Sequence, residues 1–246
     1  MKTALALIVI ILSFELNAQS FDEFRRKIQL IKNPEAIDRD TTGFSRLPNF
    51  ILGCNDDFDA YDVQENKKKW DYYHVIDLNG DGLNDFIYSG PCSPYDQTSV
   101  FMNNGSRLNN VFEHAGKIIA IRRLSDRTIL TVFKESCCCD YNSDLIDVIV
   151  DHDGKVDERW ITFFGGTEIQ VERIERLSLR GILRTHPELI DSVRKESCTD
   201  VMVKGNHLKN ILSTTEVIQL RRDGSWRLVL YPEDKKHSWI GWIKSD

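Results

Sequence analysis

The chain lacks the motifs by which most catalytic chemistry declares itself. Its six histidines, at 74, 114, 152, 186, 207 and 237, are scattered, and none forms an H-E-x-x-H zinc pair. There is no G-x-S-x-G nucleophile elbow, and Ser93 between Cys92 and Pro94 has no comparable context. Carboxylate pairs of the glycosidase kind meet only in a fold, so the sequence carries no positive sign of catalysis and no catalytic residue is assigned. Clustered base is scarce as well. The formal net charge is −6, and the longest basic run, Lys67-Lys68-Lys69, is short and follows acidic residues. A nucleic-acid partner, which needs clustered Lys and Arg against phosphates, is therefore not expected. Nothing recurs at a fixed period, which argues against a repeat array. Beyond the first residues no segment is apolar enough to cross a bilayer.

The first residues are the exception. Lys2 is followed by an apolar run from Ala4 to Phe14 and by Leu16-Asn17-Ala18 before Gln19. A basic start, a short apolar core and a small residue at the cut are the parts of a secretory signal peptide, expected over 1–18. No Cys stands at the cut for a lipid anchor. A secreted or periplasmic protein without a membrane span is the expectation. Export puts the six cysteines on the oxidising side of the membrane, where thiols pair. Spacing does not give connectivity. The expected bonds are Cys54 with Cys92, and a member of Cys137-Cys138-Cys139 with Cys198. Adjacent side chains of a strand point to opposite faces, so the triplet cannot serve one bond. A soft-metal site there would want four spaced ligands.

Between Cys54 and Cys92 lies Asp77-Leu78-Asn79-Gly80-Asp81-Gly82-Leu83-Asn84-Asp85. Side-chain oxygens of Asp77, Asn79, Asp81 and Asp85, with the carbonyl of Leu83, can supply most of the roughly six to eight oxygens that Ca²⁺ takes. Gly80 and Gly82 suit the sharp turning this demands. An EF-hand would need Glu at the twelfth position, which is Tyr88. The flanks are aromatic and β-branched, so the loop is expected between two strands. It resembles the calcium loops of FG-GAP and VCBS repeats, which implies those five residues as ligands and Ca²⁺ as cofactor. The resemblance covers about one hairpin. The acidic cluster Asp56-Asp57-Phe58-Asp59 reads as a solvated loop.

The predicted fold is mainly β. Phe21, Phe24, Ile28 and Ile31 give a helix one apolar face, with Ser20 and Glu23 spaced as a capping box and Asn33-Pro34 as its stop. Residues 36–48 read as a linker. From Phe50 to Phe164, short apolar runs at 50–52, 72–76, 86–88, 99–102, 117–121, 128–133, 145–150 and 160–164 alternate with turn signals, predicting an antiparallel β-domain over 49–166. Residues 167–246 carry Leu183-Arg184-Thr185-His186-Pro187, Gly205, Ile211-Leu212, Val217-Ile218, Asp223-Gly224-Ser225-Trp226-Arg227-Leu228-Val229 and Gly241-Trp242-Ile243. In order they resemble a bacterial SH3 domain, departing from it at Ser213-Thr214-Thr215, where the family usually has Gly. That resemblance implies a small barrel, closed by 241–243 against 226–229 and able to fold alone. It also implies binding to peptidoglycan or a peptide at Trp226, Tyr231 and Trp242. The two tryptophans are expected to be at least partly buried whichever reading holds. Rival classes are an envelope enzyme or enzyme inhibitor that uses the calcium-loop domain, and a structural protein of a surface assembly.

Overall fold

The computed structural model describes residues 22–35, 72–92, 95–137, 141–172, 174–195 and 202–245. The expected signal peptide, Ser20, the run at 50–52, the 56–59 and 67–69 clusters, Ser93 and Cys54, Cys138, Cys139 and Cys198 lie outside the described residues. The described chain is mainly β, as its short apolar runs predict. A helix, α1, covers residues 22–32, and Asn33 N still donates to Gln29 O at 3.0 Å before Pro34 stops it.

Four strands form one sheet: β1 (Tyr73–Ile76), β2 (Asp85–Cys92), β3 (Tyr95–Asn103) and β4 (Leu108–Ala115), antiparallel in that order. Then come β5 (Lys117–Arg123), β6 (Arg127–Lys134), β7 (Asn142–Asp151), β8 (Val156–Phe164) and β9 (Glu175–Arg184). A two-stranded outlier, β10 (Val193–Lys195) with β11 (Met202–Lys204), precedes β12 (His207–Asp223), β13 (Trp226–Pro232) and β14 (His237–Lys244). The second large sheet runs β13-β12-β9-β14-β8-β7-β6-β5. Two features depart from the sequence reading. β4, Leu-Asn-Asn-Val-Phe-Glu-His-Ala, is a strand that no apolar run announces, because only Phe112 of its residues is fully buried. And β14 lies parallel to β8. Alternation reports which face a residue uses, but a strand's direction relative to a distant neighbour is set by topology.

Strand alternation sorts the side chains onto opposite faces of the two sheets. Ile87, Val100, Met102 and Phe112 of the smaller sheet meet Leu130, Val132, Ile146, Val148 and Val150 of the larger one, making a two-layer sandwich. On the other face of β7, Leu145 packs under Leu30 of α1, and Asp147 receives the ammonium of Lys27 and the hydroxyl of Thr131. Further along the same face, Phe24, Ile28 and Ile31 of α1 pack on Phe163, Leu220, Leu228, Ile240 and Trp242. The apolar stripe of α1 thus covers strands from both halves of the chain. Each such side chain, fully buried, is worth about 1.5–3 kcal/mol.

The last strands close on themselves. β9 pairs β12, β12 pairs β13, β13 pairs β14, and β14 returns to β9 through Trp242 and Arg184. Leu183, Ile211, Val217, Val229 and Ile243 fill the ring. The pairing of 241–243 with 227–229 is the closure expected from the sequence. Gly241 permits it, since a Cβ there would lie 2.7 Å from Leu183 Cγ and 2.9 Å from Arg184 O.

The boundary expected at 166/167 falls inside one continuous sheet, with β14 hydrogen-bonded to β8 and α1 covering the ring's outer face. A fragment of 167–246 would uncover Leu220, Leu228, Ile240 and Trp242. It is expected to unfold well below the full chain's melting temperature in circular dichroism. An equal, cooperative transition would instead make the ring an independent domain.

Candidate functional site

Residues 77–84 connect β1 to β2, whose register begins at Ile76↔Asp85, so the loop lies between two antiparallel strands as its flanks predict. Leu78 anchors it, 2 % exposed in the sandwich core. Gly80 and Gly82 take φ of 80° and 85°, the left-handed turning that their lack of Cβ allows. The acidic side chains hold the loop's own amides. Asp77 Oδ1 accepts from Gly80 N at 2.7 Å and Oδ2 from Gly82 N at 2.9 Å. Asp81 Oδ1 accepts from Leu83 N at 2.7 Å, and Oδ2 from Asn79 Nδ2 at 3.0 Å. Asp81 and Leu83 are exposed, and Asp77 and Asn79 are partly so.

Asp85 differs from the rest. Its position in β2 turns the side chain toward the sandwich interior, where it is 0 % exposed. One oxygen accepts from Leu78 N and the other from Asn103 N, each at 2.8 Å, so it buckles the start of the loop to the end of β3. Burial pushes its pKa up to about 6; the two amides pull it down, and the charges of Asp81 and Asp77 push it up again. The negative charges of the loop therefore oppose one another. Among the described residues no Lys or Arg forms an ion pair with Asp77, Asp81 or Asp85.

His152, one of the six scattered histidines with no role assigned from sequence, stands against the loop from the β7–β8 turn. Its Nδ1 is 2.9 Å from Asn79 O and its Nε2 2.9 Å from Ser125 O. A carbonyl oxygen only accepts, so each contact is a hydrogen bond where the facing ring nitrogen carries a proton. The two bonds, to Asn79 first, raise its pKa above the ordinary value. No local motif marks this role, because the partners are 73 and 27 residues away.

In kind, the donors fit a hard cation: three carboxylates, an amide oxygen and a backbone carbonyl in a tight loop. Each carboxylate oxygen above accepts one hydrogen bond and keeps a lone pair. Their side chains are nonetheless turned onto loop amides, and among the described residues no three His, Cys, Asp or Glu side chains converge as a ready ligand group. A cation would have to draw the loop inward.

No protein-family model, curated protein or solved structure matches the chain.

The other candidates are dispersed. Trp226 and Trp242 face α1 and its core, Trp242 only 6 % exposed, whereas Tyr231 lies with Trp239 against the ring interior. Residues an odd number of positions apart in a strand point to opposite faces. Cross-strand, Leu228 opposes Trp242 and Tyr231 opposes Trp239, so the three expected binding aromatics share no groove. Tyr231 and Trp239 are partly exposed, as is Trp226 on the other face, and the first two lie at a rim where Trp239 Nε1 donates to Glu233 at 2.7 Å and the Lys209 ammonium sits 5.3 Å from the Trp239 ring centroid. Trp239, Lys209 and Glu233 were missed. The signal available was the spacing of Trp239 and Trp242 in His-Ser-Trp-Ile-Gly-Trp, which puts the two rings on opposite faces.

Of the cysteines, Cys92 ends β2 and Cys137 follows β6, and both line a cleft of about 480 Å³ with Tyr95, Lys117 and Phe133. It lies at the β2–β3 end of the sandwich, away from the 77–84 loop.

Proposed function

We propose that this chain is an exported binding protein stabilised by one calcium ion. The observation that carries the reading is the 77–85 loop, a set of hard oxygen donors between two strands, with no Lys or Arg among the described residues pairing its acids. Asp77, Asn79, Asp81 and Asp85, with the Leu83 carbonyl, would hold the ion, which would supply the positive charge the loop lacks. Residues 1–18 would direct export, and a Cys54–Cys92 disulfide would then brace the end of β2 opposite the loop. Closure of the loop costs part of the binding energy, so affinity is expected in the weak range of extracellular modules, on the order of 10⁻⁴–10⁻³ M. Isothermal titration of the mature protein with calcium, and melting with calcium or chelator, test this. Identical melting curves and no heat of binding would end the calcium reading.

The ring of β9, β12, β13 and β14 is the proposed binding module, with peptidoglycan or a peptide as ligand, in keeping with the resemblance of residues 167–246 to bacterial SH3 domains. Its partly exposed rim aromatics, Tyr231 and Trp239, suit such a ligand better than Trp242, because binding energy concentrates in aromatic anchors a ligand can reach. Tyr231→Ala is expected to weaken sedimentation with purified peptidoglycan several-fold, with a melting point close to wild type. Wild type left in the supernatant would remove cell-wall polymer as the ligand.

A further inference from the structure

We propose that the 77–85 loop is a cation-operated clasp between the two sheets, with His152 as its anchor on the larger one. This rests on the calcium reading and adds to it: turns that contribute no ligand would be ordered by the ion. The loop belongs to the smaller sheet, yet two of its carbonyls are held by the larger. Thr128 Oγ1, in β6, donates to Leu78 O at 2.7 Å in the buried interior. His152 stands between Asn79 O and Ser125 O, with Nδ1 2.9 Å from the first and Nε2 2.9 Å from the second, tying the loop to both the β7–β8 and β5–β6 turns. The loop and the β7–β8 turn lie within van der Waals reach of each other. A Cβ on Gly80 would lie 3.6 Å from His152 Nδ1, and one on Gly154 would lie 3.5 Å from Asn79 Nδ2. On its own sheet the loop is held by Asn103, which donates its amide to Asp85 and its Nδ2 to Asn84 O at 3.0 Å.

Asn79 is where the two functions meet. Its side-chain oxygen is in the candidate ligand set, while its main-chain oxygen holds His152. Drawing the loop around an ion fixes this residue, and whatever fixes Asn79 fixes the imidazole bridging it to Ser125. Linkage makes the effect mutual, so a well-held His152 should favour the ion as the ion favours the held turn. Leu78 and Asp85, both buried, keep the ends of the loop in place while 79–84 moves.

Amide hydrogen exchange on the full mature chain, at one pH with calcium or with chelator, tests the clasp. In wild type, calcium is expected to slow exchange roughly ten-fold within 79–85 and also within 125–128 and 152–155, in the range of ordinary coupling between sites. Asp81→Ala should abolish both effects. His152→Ala should keep the slowing within 79–85 and lose it at 152–155, and Thr128→Val should diminish it at 125–128. Slowing confined to 79–85 in wild type overturns the clasp and leaves the calcium reading standing. Retained slowing at 152–155 in His152→Ala overturns it also. No slowing anywhere, with no heat of calcium binding, removes both.

Discussion

Trp242→Ala is expected to lower the unfolding free energy by about 3–5 kcal/mol, the usual cost of emptying a large aromatic site in a packed core. The indole is 6 % exposed, packs with Phe24 of α1, Phe163, Leu220, Leu228 and Ile240, and has the Arg221 guanidinium 5.8 Å from its ring. It stands where β14 meets both β13 and β9, so the cavity would open at the junction of the ring, the sheet and the helix. Urea denaturation followed by far-ultraviolet circular dichroism measures the loss. A variant that unfolds with wild type but no longer sediments with peptidoglycan would return Trp242 to the role of a surface ligand contact. Removing residues 241–246 should be more severe still and leave no cooperative transition, because it takes the C-terminal half of β14 from β13 and β9 at once.

Asp85→Ala and Asp81→Ala should behave differently, although the two residues belong to one motif. Asp85 is buried and satisfies the amides of Leu78 and Asn103. Its loss leaves two interior donors unpaired, at about 1–3 kcal/mol each. Asp85→Ala should therefore melt well below wild type even in chelator. Asp81 is exposed, and its amide partner Leu83 N can turn to water. Asp81→Ala should melt like wild type in chelator and fail to gain stability when calcium is added. Thermal melts of both variants, with and without calcium, separate these outcomes. A stable Asp85→Ala would show that water reaches the two amides. An Asp81→Ala protein that still binds calcium would remove Asp81 from the ligand set.

The contrast shows what the residue pattern can and cannot express. Asp77, Asn79, Asp81 and Asp85 are readable as oxygen donors because donor type and spacing are local. That Asp85 is also a structural buckle is not, since its partner Asn103 is 18 residues further on. The same holds for His152, an ordinary turn histidine until the turn is folded against Asn79. Trp242 was legible as a residue of a closing strand, and the closure against 227–229 follows its pattern. Its face was not, because alternation with Trp239 separates the two rings without saying which side meets the core.

By itself, then, the sequence determined the mainly β class, an N-terminal helix with its stop at Asn33-Pro34, the strand–loop–strand setting of 77–85 and the pairing that closes the C-terminal ring. All of these depend on near-neighbour periodicity, turn chemistry and short-range donor spacing. The tertiary structure alone decided that α1 covers strands from both halves, that β14 lies parallel to β8 across the expected 166/167 boundary, that β4 is a strand, and that Trp242 is core while Tyr231 and Trp239 share a rim. These depend on which distant surfaces exclude water together, and contacts closed over long loops leave no local signature in the residues that make them.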